Sequence, residues 1–126
     1  MKKILVTGQS SRFVKFLKKE LHAFEVFYPT KKNFNLLNFK QINNYIKKKN
    51  ITHLIHIAGL SRPMDIHEKN ISKSIDLNII GTANIVKSCD NNRIKLIYFS
   101  TNYVYPGTSG NYKETDALKP INNYAW

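Results

Sequence analysis

KILVTGQSSRFVKFLKKEL, residues 3–21, decides the fold. Ile4, Leu5 and Val6 form a short apolar run that ends at Thr7-Gly8. The apolar residues after it recur with helical spacing, so that Phe13, Phe16, Leu17 and Leu21 share one stripe. The stretch reads as a buried strand, a tight turn and a helix. The same alternation continues outward. FEVFYP (24–29) is a second strand closed by Pro29. NFKQINNYIKKKN (38–50) opens on Asn38 with Gln41 three residues later, a capping box, and carries Phe39, Ile42 and Ile46 as its apolar side. THLIHIAG (52–59) is a third strand. Asn70 to about Cys89 is the longest helix, where Ile71, Ile75, Ile79, Thr82 and Val86 recur at spacings of three and four. IKLIYFST (94–101) is the fourth strand. Strands and helices alternating in this way specify an α/β domain, a parallel sheet with helices on both faces and right-handed crossovers. A chain of 126 residues with 42% hydrophobic content buries one ordinary core, so residues 1–126 are expected to form one domain.

In such sheets ligands sit beyond the carboxyl ends of the strands, where the strand order reverses. The places to look are therefore Thr7-Gly8, Tyr28-Pro29, Ala58-Gly59 and Ser100-Thr101. The turn Gly8-Gln9-Ser10-Ser11-Arg12-Phe13 opens the first helix, where backbone N–H groups and the helix dipole suit a pyrophosphate. A dinucleotide fingerprint has three spaced glycines; here only Gly8 is present, with Ser11 and Val14 at the other two positions. Ser11 offers a hydroxyl to a phosphate, while Val14 is expected to push the helix outward. Taken alone, the turn suits an ordinary strand-to-helix connection as well. YPTKK (28–32) contains no acid to bind a ribose 2′-hydroxyl, and Lys31, Lys32 and Arg12 favour NADP over NAD. Pro106, Gly107, Gly110 and Pro120 mark a long loop over 102–123, of the kind that is usually functional in a compact domain.

The net charge of +12 raises nucleic-acid binding as a possibility. The sequence holds 17 Lys but 3 Arg, beside 15 Asn and 15 Ile, which is the bias of AT-rich codons. The lysines are scattered in pairs, so solvated faces are the better reading and no nucleic-acid partner is expected. An anionic small molecule suits the charge equally well. No run approaches the ~20 apolar residues of a membrane span, and MKKILVTGQSS lacks the long apolar region of a secretory signal. A cytoplasmic protein without a membrane partner is expected. Cys89 is the single cysteine, which excludes an intrachain disulfide. His22, His53, His56 and His67 show no metal-ligand spacing, and His56 reads as a packed or loop-facing residue of the third strand.

FSTNYVYPGTSGNYKETDALKPINNYAW (99–126) is more specific. Ser100 to Tyr105, Gly107, Glu114, Asp116, Pro120, Asn122 and Tyr124 resemble the extended short-chain dehydrogenase/reductase family, particularly its dTDP-4-dehydrorhamnose reductase branch. The likeness extends over the whole chain: residues 34–59 resemble the family's adenine-side stretch, second helix and third strand, and DLNIIGTANIVKSC (76–89) its Asn-Val-x-Gly-Thr helix. The resemblance implies a Rossmann-like sheet and an NADP- or NAD-dependent reduction of a nucleotide-linked keto-sugar. Tyr124 would donate the proton and Thr101 would hydrogen-bond the substrate carbonyl. Ala58, Gly59 and Leu60 would lie along the cofactor, Asn35 and Leu36 by its adenine, and Asn78 would support the site from the long helix. Asn102 stands where the family often has an acid that contacts substrate. An epimerase or dehydratase of the same family, and a non-catalytic cofactor-binding subunit, remain alternatives, with a homodimer an option for the full-length protein. In the family the partner of this tyrosine is a lysine one helical turn later, whose charge activates the tyrosine and whose amine holds a ribose. That position falls beyond Trp126. The expectation is therefore an N-terminal part, incomplete at its C-terminus, that lacks the substrate lobe and is inactive as a reductase by itself.

Overall fold

The computed structural model describes residues 2–126. Four strands, β1 (Lys3–Val6), β2 (Glu25–Phe27), β3 (His53–His56) and β4 (Lys95–Tyr98), form one parallel sheet in the order β2-β1-β3-β4. The helices between them are α1 (Arg12–Glu20), α2 (Phe39–Lys49), α3 (Ile66–Lys69), α4 (Ile71–Ser74) and α5 (Gly81–Asn91). This is the parallel α/β sheet expected from the alternation of the sequence, in the Rossmann-like form that the family resemblance implies.

Strand geometry divides the core into two layers, because successive side chains point to opposite faces. Ile4, Val6 and Ile55 face α1 and pack with Val14, with Leu17 and Leu21 closing over them. Leu5 and Leu54 face the other way, into a larger cluster with Ile42 and Ile46 of α2, Ile85 and Cys89 of α5, and Phe34, Ile51 and Ile94. The α1 stripe thus differs from the expected one. Phe13 and Phe16 are 43% and 59% exposed, and the sheet-facing line is Val14, Leu17 and Leu21. Val14 is a fully buried core residue. Phe13 leans instead on Phe99, with ring centroids 5.1 Å apart.

The caps explain where the helices begin. Ser11 Oγ accepts from Val14 N at 3.1 Å at the start of α1. Asn38 Oδ1 accepts from Gln41 N at 2.9 Å at the start of α2. The reciprocal half of the capping box is replaced by a longer reach: Gln41 accepts from Asn35 N at 2.6 Å and donates to the Lys32 carbonyl at 2.9 Å, fixing the loop after β2.

The long helix also differs from its pattern. Ile75–Ile80 winds as a π-helix between α4 and α5, and Ile71, Ile75, Ile79 and Val86 are exposed. Its buried residues are mostly small, with Ser74, Gly81, Ser88 and Cys89 joined by Ile85. A methyl group on Gly81 would come within 3.1 Å of Leu36 Cβ, so this glycine lets the helix approach the loop after β2.

Candidate functional site

The chain runs from β1 to β2 on one side and then crosses to β3 on the other, so the order reverses between β1 and β3. The two loops that leave these strands touch at that point. Gly8 has φ +80, and a Cβ there would lie 3.0 Å from Ala58 N and 3.1 Å from Ala58 Cα. Only glycine combines that backbone angle with that approach. Beneath it, Thr7 is 2% exposed and its Oγ1 accepts from Ile57 N at 3.1 Å and Ala58 N at 3.0 Å.

With both acceptor positions of Thr7 Oγ1 taken, its O–H donates to His56 Nδ1 at 2.8 Å. This assigns the His56 proton to Nε2, which donates to Thr82 Oγ1 at 3.1 Å. Burial lowers the His56 pKa to about 4, so the ring is neutral at pH 7. The sequence marks His56 only as a strand histidine, since its partners lie 49 and 26 residues away.

Two cavities flank this seam. The first, about 330 Å³, is lined by Thr7, Gly8, Gln9 and Ser10 of the first turn, by Lys31, Asn35 and Leu36 of the loop after β2, and by Ala58 and Gly59. None of its lining residues is acidic. The second, about 400 Å³, shares Ala58 and Gly59 and continues along Leu60, Asn78, Thr101 and Tyr124. Ser11, Arg12, Phe13 and Asn102 of the expected site line neither cavity. Ser11 caps α1 and Phe13 packs on Phe99, which accounts for both. Arg12 and Asn102 are exposed.

Asn78 lies in the π-helical stretch and pairs with both backbone groups of one residue: Oδ1 accepts from Leu60 N at 2.7 Å and Nδ2 donates to Leu60 O at 2.8 Å. Such π turns are frequent at functional sites, where they re-aim a side chain. The exposed isoleucines Ile71, Ile75 and Ile79 form the wall of the second cavity, together with Ser74 and Thr82. Their helical period signalled an apolar face, and that face lines a cavity.

Thr101 begins the short 3₁₀ turn Asn102–Val104, where its Oγ1 accepts from Tyr103 N at 3.2 Å, leaving its O–H able to donate. The Tyr124 ring is 4.7 Å from His67 and 5.7 Å, edge-on, from Tyr103. Among the described residues no cluster of His, Cys, Asp and Glu is arranged to hold a metal ion, and no helix is long and apolar enough to cross a membrane.

The RmlD substrate binding domain family matches residues 1–126. The chain belongs to this family. Its fold is that of a reductase-like domain of the extended short-chain dehydrogenases/reductases. It is similar to the dTDP-4-dehydrorhamnose reductase of Bacillus anthracis str. Ames, solved in complex with NADP: 28% identity, TM-score 0.91, over 99% of this chain and 46% of that one. The UDP-glucose 4-epimerase of Thermus thermophilus, solved with NAD, shares the fold at 19% identity, TM-score 0.84, over 98% of this chain and 46% of that one. Structural neighbours thus carry either nicotinamide cofactor. Among curated proteins, methionine adenosyltransferase 2 subunit beta of Pongo abelii is 29% identical over 98% of this chain and 39% of that protein. The chain thus spans well under two thirds of the length of the relatives it matches.

Proposed function

We propose that this chain provides the dinucleotide-binding region and the proton donor of an NADP-dependent reductase acting on a nucleotide-linked keto-sugar. One observation carries the reading: Ala58 and Gly59 line both cavities, so the cavity beside the first turn adjoins the pocket that holds Thr101 and Tyr124. The residues present fit the cofactor. Gly8 packs the first turn directly against the Ala58 backbone, and Gln9 and Ser10, just ahead of the N-terminus of α1 with its favourable dipole, line the first cavity. Gln9 and Ser10 would flank the pyrophosphate, and Asn35 and Leu36 the adenine. Lys31, with no acid in the same cavity, favours a 2′-phosphate and hence NADP over NAD.

When bound, the cofactor supplies the hydride. The chain handles the oxygen. Tyr124 donates its phenolic proton to the substrate carbonyl oxygen, and Thr101 donates a hydrogen bond to the same atom, polarising it. Asn78 holds Leu60, and with it the loop shared by the two cavities. The nucleotide portion of the substrate matches the positive charge of the chain. The test is consumption of NADPH and NADH by the full-length protein over a panel of nucleotide-linked 4-keto-sugars. Tyr124→Phe and Thr101→Ala are each expected to lower kcat about 10²-fold or more with cofactor affinity retained. Undiminished turnover by Tyr124→Phe would exclude the assigned proton donor. Release of an epimerised or dehydrated sugar without net NADPH consumption would move the protein to the epimerase or dehydratase branch.

A second reading, a non-catalytic cofactor-binding subunit, is favoured by two observations. The turn holds a single glycine, with Val14 built into the core, and the similarity to methionine adenosyltransferase 2 subunit beta covers nearly the whole chain. NADPH binding without turnover of any sugar in the panel would support it.

A further inference from the structure

His67 takes no part in the chemistry above, yet it is 1% exposed and lies against Tyr124. It belongs to α3, a single turn of helix between the loop after β3 and the long helix. Its Nδ1 is 2.7 Å from Ser74 Oγ of α4, while its Nε2 is buried with no hydrogen-bond partner. The next residue grips the same segment. The Glu68 carboxylate accepts from Asn123 N at 3.2 Å and from Asn123 Nδ2 at 2.7 Å, and that Nδ2 also donates to the His67 carbonyl at 3.3 Å.

We infer that His67 and Glu68 are positioning residues for Tyr124, a clip that fixes where its phenol sits in the second cavity; this rests on the reading of Tyr124 as proton donor. Tyr124 stands on a turn, where Ala125 N and Trp126 N both donate to Asn122 O. Glu68 fixes the backbone immediately before the tyrosine, and His67 and Tyr103 bracket its ring from two sides.

The chemistry of His67 favours an orienting role over plain filling. Leaving a ring nitrogen buried and unpaired is costly, and phenylalanine would fill similar space without that cost. What imidazole adds is the bond to Ser74, which ties the plane of the ring under Tyr124 to the long helix. Ser74 itself lines the second cavity, so the clip links one wall to the tyrosine on the other.

The test uses the full-length protein with ¹³C-ring-labelled tyrosine, the Tyr124 signal being identified by its loss in Tyr124→Phe. Glu68→Ala and His67→Phe are expected to move that signal toward the position of an exposed tyrosine. Glu68→Gln, which keeps one acceptor oxygen, should hold it in place. In turnover, Glu68→Ala should lower kcat about tenfold or more, as misplacement of a reacting group does, with KM for NADPH within about twofold and with Glu68→Gln restoring most of the loss. An unmoved Tyr124 signal in both Glu68→Ala and His67→Phe would overturn the clip. Because the resonance needs no turnover, a moved signal in a protein that reduces no sugar would retain the clip and sink the proton-donor reading instead. Glu68 is exposed, so its variants test the clip even if His67→Phe fails to fold.

Discussion

The seam between β1 and β3 and the clip around Tyr124 both hold a loop at the edge of a cavity, but by different means. At the seam, paired strands bring Thr7 and Ala58 together, so the contact is an extension of the sheet. At the clip, residues 55 and 56 apart meet through the Asn123 backbone and side chain, with no shared ladder beneath them. Steric fit at a rigid backbone is unforgiving, whereas exposed polar contacts are individually weak. The seam should therefore dominate stability, and the clip should show itself in the placement of one side chain.

The sharpest attack on the seam is Gly8→Ala. A methyl group at φ +80, 3.0 Å from Ala58 N, forces either a backbone change or separation of the two loops. The expected loss is about 2–4 kcal/mol in urea unfolding, the sum of the left-handed conformational cost and the overlap. NADPH affinity should fall with it. A variant within 0.5 kcal/mol of the parent (roughly the scale of a neutral surface change) would mean that the loops part easily and that the seam is not rigid.

A second test uses pH. His56 is neutral in the folded protein, its pKa lowered by burial from 6.5 to about 4. Between those values the unfolded chain binds the proton and the folded one does not. Stability is therefore full above about pH 6.5, falls as pH drops toward 4, and loses nothing further from this group below that. The window corresponds to about 3 kcal/mol. His56→Gln, which cannot charge, should lack this component when its urea stability is compared with the parent at each pH. Parallel curves for the two proteins would show that His56 is not held neutral between Thr7 and Thr82.

How these regions were legible in the sequence follows the same division. The strands, the turn at Gly8 and the cap at Asn38 are local patterns, and they lie where the spacing places them. Thr101, Ala58 and Tyr124 come to one cavity from separate strand ends and loops, and Tyr124 is named through the family resemblance and by no local spacing. The errors lie where helical period alone had to choose a face. Phe13 and Phe16 outweigh Val14 in apolar bulk, yet Val14 points at the sheet. Ile71, Ile75 and Ile79 of the long helix face a cavity and not the sheet. Thr7, His56 and Glu68 act through partners 26 to 55 residues away, and no local pattern announces such pairs.

Asn78 sits between the two regimes, one side chain satisfying both backbone groups of Leu60. Asn78→Ala strands a partly buried N–H and C=O, for an expected loss of about 1–2 kcal/mol. Asn78→Asp keeps the acceptor for Leu60 N and repels Leu60 O, so it should fall between. Equal stability of all three proteins would show that water replaces the amide at no cost.

The smallest effect belongs to the one ion pair of α3. Lys69 Nζ lies 2.7 Å from Asp65 Oδ2, a contact that looks strong by distance. Its side chains are 77% and 54% exposed, however, and the pair spans a single turn. Exposed pairs at this spacing contribute about 0.3–0.5 kcal/mol, and added salt screens them. Lys69→Ala should therefore leave urea stability within about 0.5 kcal/mol and the Tyr124 resonance where it is. Glu68, one residue away, should move that resonance although it forms no ion pair among the described residues. If Lys69→Ala displaced Tyr124 as far as Glu68→Ala does, the tyrosine would be responding to any loosening of α3, and the specific grip of Glu68 on Asn123 would not be what places it.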